Sequence, residues 1–576
     1  MSRTIIVTRA AEADILDGYR AYEEKLNELV PAESWWHPRH RCLSYNLGMN
    51  AMPDPSSSAA LLDDLAAIIG PGHVLADDAS RTFYGTDVFR QADVLPVAVV
   101  QPGTVDELQA IVRACARHKA PSVVRGGGAS YTDGYLPTRP GTVTIDASRL
   151  KRIDINETDL YVTVEPGVTW AELYAAVSAR GLRTPMWGPF SGLAATVGGG
   201  MSHYAVNYGS GLYGLSAESL LGMDVILASG EMLSTGSGGG AHSLPFFRFY
   251  GPDLTGLFVG DAGAFGVKAR MTLRLLKKPA GFAACSFGFP TGENCLKALM
   301  EVAPLGVVAQ NFALDPRQQK TALTRMESAS SLDAARSVFS SAPNAWDGAV
   351  QLVRMGMAGR NFLKNAVYSA HFGTEGLTAA EAKLKLAGVR AIASKYGAEV
   401  ANSIPVYFNA NPFMQITPIL GPNGERWKPV HAVLPFSAVL KHHADFEALL
   451  AEYRDRMREH RVQLTRMLMF FSTNAFIYEP TFMWDDERTI YHRRVYPAAL
   501  LPGVPEHAAN PAGRALVEEL KGRIQDLSSR NGASHLQVGK DYPYLESRKP
   551  ETRALVRGLK QLLDPEGLLN PGALGL

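Results

Sequence analysis

Short apolar runs bounded by glycine, proline or serine recur through the first half of the chain. Residues 121–125, 142–148, 160–166 and 222–228 are of this kind, and a further apolar run lies at 269–276. Runs of this length and composition predict strands. The first half is therefore predicted to be rich in sheet.

Two capping boxes predict where helices begin between these strands. Thr104 with Glu107, and Thr169 with Glu172, place a hydroxyl three residues before a carboxylate. Gly181 has the position of a glycine that ends the second helix. Strands and single helices thus alternate in this region.

The pattern changes after about residue 281. Apolar positions then recur with the helical period, as in 378–397 and 444–460, and the glycine density falls. A last helix is predicted from Arg553. At the other end of the chain, residues 1–58 form an N-terminal extension that carries Trp35, Trp36 and His37 and ends in a Pro/Ser-rich linker.

Composition excludes several classes of protein. The 576 residues include 57 basic and 56 acidic side chains, which gives no electrostatic footprint for nucleic acid. The four cysteines form no CxxC pair and are expected to be reduced and mostly buried. The sequence shows neither a signal peptide nor a long apolar span, so we expect a cytoplasmic protein.

Glycine is the informative residue type. Of the 54 glycines, 26 lie within residues 121–266. A glycine run after a strand, as in 125–130, can turn several backbone N–H groups toward a phosphate. Three more glycine loops follow, at 192–200, 207–214 and 260–266. Together they favour an extended ligand such as a dinucleotide over tight turns alone, and the run 236–240 is expected to be a surface loop.

The order of five motifs resembles the vanillyl-alcohol oxidase/p-cresol methylhydroxylase family of FAD-linked oxidoreductases. The motifs are PSVVRGGGASYTDGYLP, VEPGVTWAELYAAV, the long segment from GLAATVGGG to ASGEML, GAFGVKARMTLRL and LLDPEGLLNPG. The resemblance implies an α+β fold, with a PCMH-type FAD-binding domain and an α+β cap domain containing an antiparallel sheet. The expected organisation is an extension at 1–58, the FAD domain at 59–280, the cap at 281–530 and a segment returning to the FAD domain at 531–576.

The resemblance also implies which residues bind FAD. They lie in the glycine loops and at the C-terminus: Arg125, Gly126, Gly127, Gly128, Ala129, Ser130, Gly134, Pro185, Gly192, Thr196, Gly199, Gly200, His203, Tyr208, Gly211, Gly214, Gly263, Gly266, Val267 and Asn570. Relatives that link the flavin covalently use a His or a Cys where this chain has Ala129 and Ala194. A cap-domain His is the third attachment point in the family, and His431 is its candidate here. Noncovalent FAD is the expectation.

The cap departs from the hydroxy-acid dehydrogenases of the family, which carry GDGNxH and GEHGxGxxK. Phe476 replaces the first histidine, and Ser534 replaces the glutamate of the second motif. His535 is then the leading candidate for a base near the flavin, with a structural histidine as the alternative. Tyr491 and Arg493 are candidates for holding an aromatic ring and an anion, with a solvated loop as the alternative for the arginine.

Other polar residues of the cap carry weaker signals. Tyr407, Asn409 and Tyr478 are expected on cap strands that could face the cavity, and His442 with His443 at the start of a helix. No metal site is predicted.

The predicted function is FAD-dependent hydride transfer from a small aromatic or alkylphenolic alcohol, with oxygen or a redox partner as electron acceptor. The alternatives are a 2-hydroxy-acid dehydrogenase resembling the D-lactate and glycolate enzymes, a flavin-assisted group-transfer enzyme, and a binding module without turnover. Homodimers are common in the family that the chain resembles, and together with the aromatic N-terminal extension this suggests a homodimer. The predicted substrate class suggests a role in the metabolism of aromatic compounds.

Overall fold

The structure is a computed structural model that describes residues 55–319, 367–400 and 404–576. The chain divides into two compact units, Met1–Met52 and Pro53–Leu576. The first unit, with Trp35, Trp36 and His37, lies outside the described residues. The predicted linker is partly helical, because the first described helix already begins at Pro55.

Two sheets form the glycine-rich half, as the apolar runs predict. The first has four strands in the order β1-β2-β4-β3, and the second has five in the order β5-β6-β10-β8-β9. Within the first sheet, β2, β4 and β3 are parallel, whereas every pair in the second is antiparallel. The strands are β1 Val74–Leu75, β2 Ala98–Val100, β3 Ser122–Arg125, β4 Val143–Asp146, β5 Ile153–Asn156, β6 Tyr161–Val164, β8 Leu220–Ile226, β9 Met232–Ser234 and β10 Val267–Arg274, and a separate pair joins β7 Leu182–Arg183 to β11 Leu276–Lys277.

Both predicted capping residues begin helices. The Thr104 hydroxyl accepts from the Glu107 N–H, and Thr169 with Glu172 forms a complete box. Gly181 follows the second helix with φ +67°, as a terminating glycine requires. The helices of this half are α1 Pro55–Ile69, α2 Asp78–Tyr84, α3 Val105–Arg117, α4 Trp170–Ser178, α5 Val197–His203 and α6 Ser210–Tyr213.

The cap contains the predicted antiparallel sheet, whose described strands run in the order β15-β12-β14-β13-β18-β19-β16, with β17 also paired to β19. A long hairpin of β18 and β19 dominates it, and the motif position 471–476 lies at the hairpin tip. The strands are β12 Gly281–Phe289, β13 Val308–Leu314, β14 Tyr368–Gly376, β15 Ala398–Glu399, β16 Arg426–Pro429, β17 Ala432–Pro435, β18 Val462–Phe471 and β19 Ala475–Trp484.

Helices cover the cap sheet and bury an aromatic core that includes Phe287, Phe372, Phe446 and Trp484. They are α7 Gly292–Val302, α8 Ala379–Ala393, α9 Ile404–Ala410, α10 Phe436–Glu459 and α12 Pro511–Arg530. Of the other two helices, α11 Ile490–Val495 belongs to a separate apolar cluster, and α13 Pro550–Leu563 packs on the core of the FAD side. No helix in the described part of the chain is long and apolar enough to cross a membrane.

The structure corrects several local predictions. Tyr407 and Asn409 lie on helix α9 rather than on a strand, and His442 with His443 lies inside α10, which begins at Phe436. The run 236–240 is a short 3-10 turn in which Ser237 is buried and donates to the Leu244 carbonyl, so it is not a plain surface loop.

The cysteine prediction is confirmed for three of the four residues. Cys115, Cys285 and Cys295 are buried free thiols, and Cys42 lies outside the described residues.

Candidate functional site

A cavity of about 400 Å³ lies where the glycine loops, the β18–β19 hairpin and the C-terminal segment meet. Fourteen of the predicted cofactor residues line it: Gly126, Gly127, Gly128, Ala129, Ser130, Gly134, Thr196, Gly199, Gly200, His203, Gly263, Gly266, Val267 and Asn570. The other six are not among its lining residues: Arg125, Pro185, Gly192, Tyr208, Gly211 and Gly214. Three of the four glycine clusters thus converge on one space, whereas the predicted loop 207–214 contributes Asn207 and none of its glycines.

The first glycine loop touches the second through its backbone. A Cβ on Gly127 would lie 1.7 Å from the Ala194 carbonyl oxygen, and one on Gly126 would lie 2.3 Å from the Thr196 hydroxyl oxygen. Real Cβ atoms do not approach so closely. A side chain at 127 would require the backbone of a loop to move, whereas one at 126 would require the Thr196 side chain to rotate and give up the hydrogen bond it accepts from the Gly199 N–H. Glycine is required here for the two loops to form one wall of the cavity.

Aromatic side chains support the first loop from behind. The Tyr491 hydroxyl donates to the Gly128 carbonyl at 2.7 Å, and the Tyr135 hydroxyl donates to the same carbonyl at 3.2 Å. The guanidinium of Arg125 is buried against the rings of Phe83 and Tyr84, at 5.0 and 4.8 Å from their centroids. Tyr491 and Arg125 therefore hold the loop and are not part of the cavity wall.

The C-terminal segment ties the first loop to the fourth. The Asn570 amide donates to the Gly134 carbonyl at 2.8 Å and to the Ala262 carbonyl at 2.5 Å. Its oxygen Oδ1 is buried and has no hydrogen-bond partner among the described residues, although Asn570 lines the cavity. A buried amide oxygen without a partner is suited to accept a hydrogen bond from a bound ligand.

A buried cation lies near the same loops. Lys268 lines the cavity and pairs with Asp261, and burial lowers the pKa of its ammonium group. His203 also lines the cavity, and burial together with Lys268 and Lys540 lowers the pKa of its imidazole to about 4. A neutral histidine, an ammonium group and a wall of glycine backbone suit a phosphate-bearing cofactor.

The cap side of the cavity is apolar and aromatic. Phe190, Phe312 and Phe408 form a cluster with ring centroids 5.4 to 5.8 Å apart. Trp427 meets Tyr131 edge to face at 5.2 Å. The remaining apolar lining residues of this side are Leu314, Met414, Ile416, Pro418, Ile419, Met467 and Met483. Such a wall favours a flat hydrophobic molecule.

One polar cluster interrupts this wall. Tyr131 from the first loop, Glu479 from β19 and Gln537 from the C-terminal segment all line the cavity. The Glu479 side chain is 13% exposed, and burial raises the pKa of its carboxyl to about 8. Sequence reasoning missed this glutamate, although it is the single charged residue in the strand 475–484. A single glutamate in an otherwise uncharged strand is the sequence feature that could have identified it.

Comparison with known proteins agrees with this geometry. A model described as the FAD binding domain matches residues 96–236, and one for the C-terminal domain of FAD-linked oxidases matches 538–574. Two solved structures have the same fold: p-cresol methylhydroxylase with substrate bound (TM-score 0.68, 18% identity, covering 91% of this chain and 98% of that one) and the isoeugenol complex of 4-ethylphenol oxidase from Gulosibacter chungangensis (0.65, 19%, 91% and 99%).

The chain thus matches models of FAD-linked oxidases over residues 96–236 and 538–574 and has the fold of p-cresol methylhydroxylase. A glycolate oxidase subunit of Bacillus subtilis (strain 168) is 32% identical over 217 residues, which are 38% of this chain and 45% of that protein. The chain thus spans less than half of this curated relative's length.

The three positions at which similar flavoproteins attach FAD covalently correspond here to Ala129, Ala194 and His431. Ala129 and Ala194 have no nucleophile to offer. His431 is buried and does not line the cavity, and its Nε2 lies 2.8 Å from the Tyr131 hydroxyl. Its Nδ1 lies 3.3 Å from the Tyr542 hydroxyl, and burial lowers the pKa of the ring to about 3. Both nitrogens already have tyrosine partners.

Two further predicted catalytic residues lie away from the cavity. His535 donates from Nδ1 to the His431 carbonyl at 2.7 Å and stacks on Tyr542 with centroids 4.4 Å apart. Arg493 is exposed and pairs with Glu506. His535 therefore lies behind the cavity wall. Arg493 is exposed to solvent, as the alternative interpretation of this residue predicts.

Proposed function

We propose that this protein is an FAD-dependent oxidase or dehydrogenase that oxidises a small aromatic or alkylphenolic alcohol. The observation that carries the proposal is the composition of the cavity wall. It joins an aromatic and thioether surface to one small polar cluster, directly beside the glycine loops. An uncharged ring bearing a hydroxyl group matches such a wall.

FAD fits the glycine side of the cavity. The backbone of 126–128, the glycines at 199–200, Lys268 and the free oxygen of Asn570 would hold it, and when bound it supplies a two-electron acceptor for hydride. We propose noncovalent binding, because the side chains at 129 and 194 are methyl groups and His431 is engaged by tyrosines.

Charge argues against a carboxylate substrate. Among the described lining residues, Lys268 is the one lysine or arginine, and Asp261 already neutralises it. A 2-hydroxy acid would bring its carboxylate next to the apolar wall without a free cation. The similarity to the glycolate oxidase subunit nevertheless makes 2-hydroxy-acid oxidation the second candidate.

Anaerobic mixing of the yellow protein with a substrate panel tests the proposal. We expect vanillyl-type alcohols and alkylphenols to bleach the flavin absorbance near 450 nm, and D-lactate and glycolate to leave it unchanged. Bleaching by the hydroxy acids alone would establish the second candidate. Turnover without bleaching would establish group transfer. We further propose a cytoplasmic homodimer acting in aromatic metabolism, with oxygen or a redox protein as electron acceptor.

A further inference from the structure

We propose that Glu479 is the catalytic base that accepts the proton of the substrate hydroxyl group. This inference rests on the proposed function, since it assumes that the substrate is an alcohol or phenol. It replaces His535, the residue favoured by sequence, with a side chain that reaches the cavity itself.

The register of the β18–β19 hairpin places Glu479 on the cavity face. Glu479 pairs with Met467, and Thr481 pairs with Thr465. These four residues and Met483 all line the cavity, as expected because alternate residues of a strand share one face. Glu479 is the one carboxyl group among the described lining residues, and its neighbours on that face are neutral.

The Tyr542 hydroxyl favours the His431 tautomer that carries its hydrogen on Nε2. The Tyr542 hydroxyl accepts from the His431 backbone N–H at 2.8 Å, so its own hydrogen is free to point to Nδ1 at 3.3 Å. Nδ1 is then the acceptor of the ring, and Nε2 carries the hydrogen. Nε2–H faces the Tyr131 hydroxyl at 2.8 Å and the Glu479 carboxyl at 3.5 Å.

This arrangement suits a Glu479 carboxylate that accepts a proton during the reaction. His431 cannot accept that proton through Nε2, because that nitrogen already carries one, and its N–H orients the carboxylate before the proton arrives. The Tyr131 oxygen accepts from Nε2–H, so the Tyr131 hydrogen is free to bond the substrate oxygen. Tyr131 and Glu479 would then contact the same hydroxyl group from two sides.

The step balances as an alcohol oxidation. The O–H bond breaks, its proton goes to the Glu479 carboxylate, and its electron pair becomes the new C=O bond. The C–H bond breaks with its electron pair, which passes as hydride to FAD. Glu479 then returns its proton to solvent before the next turnover.

The rate should rise with pH. Burial raises the pKa of Glu479 to about 8, so the carboxylate form increases between pH 7 and 9. The titratable groups facing it are Tyr131, His431 and Tyr542. Burial raises the pKa of both tyrosines and lowers that of His431 to about 3, so none of the three changes charge in this range.

The test is Glu479→Gln in the FAD-loaded protein, with Glu425→Gln as the matched control. Glu425 is a buried cap glutamate outside the cavity. We expect the rate of anaerobic flavin bleaching by a vanillyl-type alcohol to fall by about 10²- to 10⁴-fold in E479Q and to lose its rise between pH 7 and 9. E425Q should keep the wild-type rate and profile. Glu479→Asp should keep the pH rise at a reduced rate.

A second readout does not depend on turnover. Infrared difference spectra of the substrate-free, FAD-loaded protein should show a protonated carboxyl band that disappears between pH 7 and 9, and E479Q should lack it. Rates for E479Q within threefold of wild type, or an infrared band unchanged by this substitution, would overturn the role of Glu479. If no alcohol or phenol bleaches the wild type, the proposed function fails, and this inference fails with it.

Discussion

The two sides of the cavity are built in different ways. On the FAD side, the wall is backbone, and what matters at Gly126 and Gly127 is the absence of a side chain. On the cap side, the wall is made of side chains, and what matters is which face of a strand or helix each one occupies. We therefore expect FAD binding to weaken when a side chain is added at one of these glycines. We expect the choice of substrate to change when one cap side chain is replaced by another.

This difference explains why the two matched family models lie on the FAD side, at residues 96–236 and 538–574. A backbone wall accepts few substitutions, so the glycine loops keep a readable pattern in the segment matched to FAD-binding domains, 96–236. A side-chain wall can be rebuilt one residue at a time within the same fold. The predictions below test that division.

The largest effect is expected from Gly127→Ala. Its Cβ would lie 1.7 Å from the Ala194 carbonyl oxygen, so the two loops must separate. We expect FAD affinity to fall more than about 100-fold, which corresponds to about 2.7 kcal/mol. The flavin-to-protein ratio after purification and a titration with FAD measure it. Gly558→Ala, on α13 with nothing within 4 Å of its Cβ, should stay yellow; an equal loss there would refute the contact argument.

Because the pKa of Glu479 is raised, its carboxyl should lower the free energy of unfolding as pH increases. Its pKa is raised to about 8 from 4.5, so the folded state holds a proton that the unfolded state releases between these values. Wild-type stability therefore falls as pH rises from 4.5 toward 8. We expect E479Q to exceed wild type by a few kcal/mol in free energy of unfolding at pH 8, and by little at pH 5.

Urea unfolding at both pH values measures this difference. The same comparison for Glu425→Gln, a buried glutamate outside the cavity, gives the control. An equal gain of E479Q over wild type at both pH values would show that the carboxyl titrates normally.

The sequence could predict the FAD side because its signals are local. Thr104 and Thr169 cap the helices that follow them, and the glycine run after β3 forms the predicted loop. Each signal lies within a few residues of the structure it determines. The strands of the cap sheet were harder to predict because their partners are distant in sequence.

The cap residues show what local patterns miss. Tyr407 lies in an aromatic, β-branched stretch that predicts a strand, yet it forms helix α9 against the cavity cluster. His535 has the expected spacing, but Gln537 reaches the cavity instead, in a segment that turns with φ +50° at that residue. Glu479 faces the cavity through hairpin register, which depends on pairing with β18 rather than on its own neighbours.

A smaller effect is expected from Tyr491→Phe. Removing its hydroxyl deletes a 2.7 Å hydrogen bond to the Gly128 carbonyl, and the Tyr135 hydroxyl, which the Thr86 carbonyl shares at 3.0 Å, then becomes the nearest donor at 3.2 Å. A loss of about 1 kcal/mol in stability or FAD binding is expected. Thermal unfolding and FAD titration measure it, with the exposed Tyr250→Phe as control. If Tyr491 instead contacts substrate, the variant will alter the KM and leave FAD affinity unchanged.

The smallest effect is expected two residues further along the same helix. Residues i and i+2 of a helix point to different sides, so Arg493 faces solvent and Glu506 while Tyr491 is buried. An exposed ion pair contributes about 0 to 1 kcal/mol, so Arg493→Ala should bind FAD and bleach with substrate within about twofold of wild type. Steady-state kinetics with an aromatic alcohol measure this directly. A KM raised tenfold or more would instead place Arg493 in the substrate site.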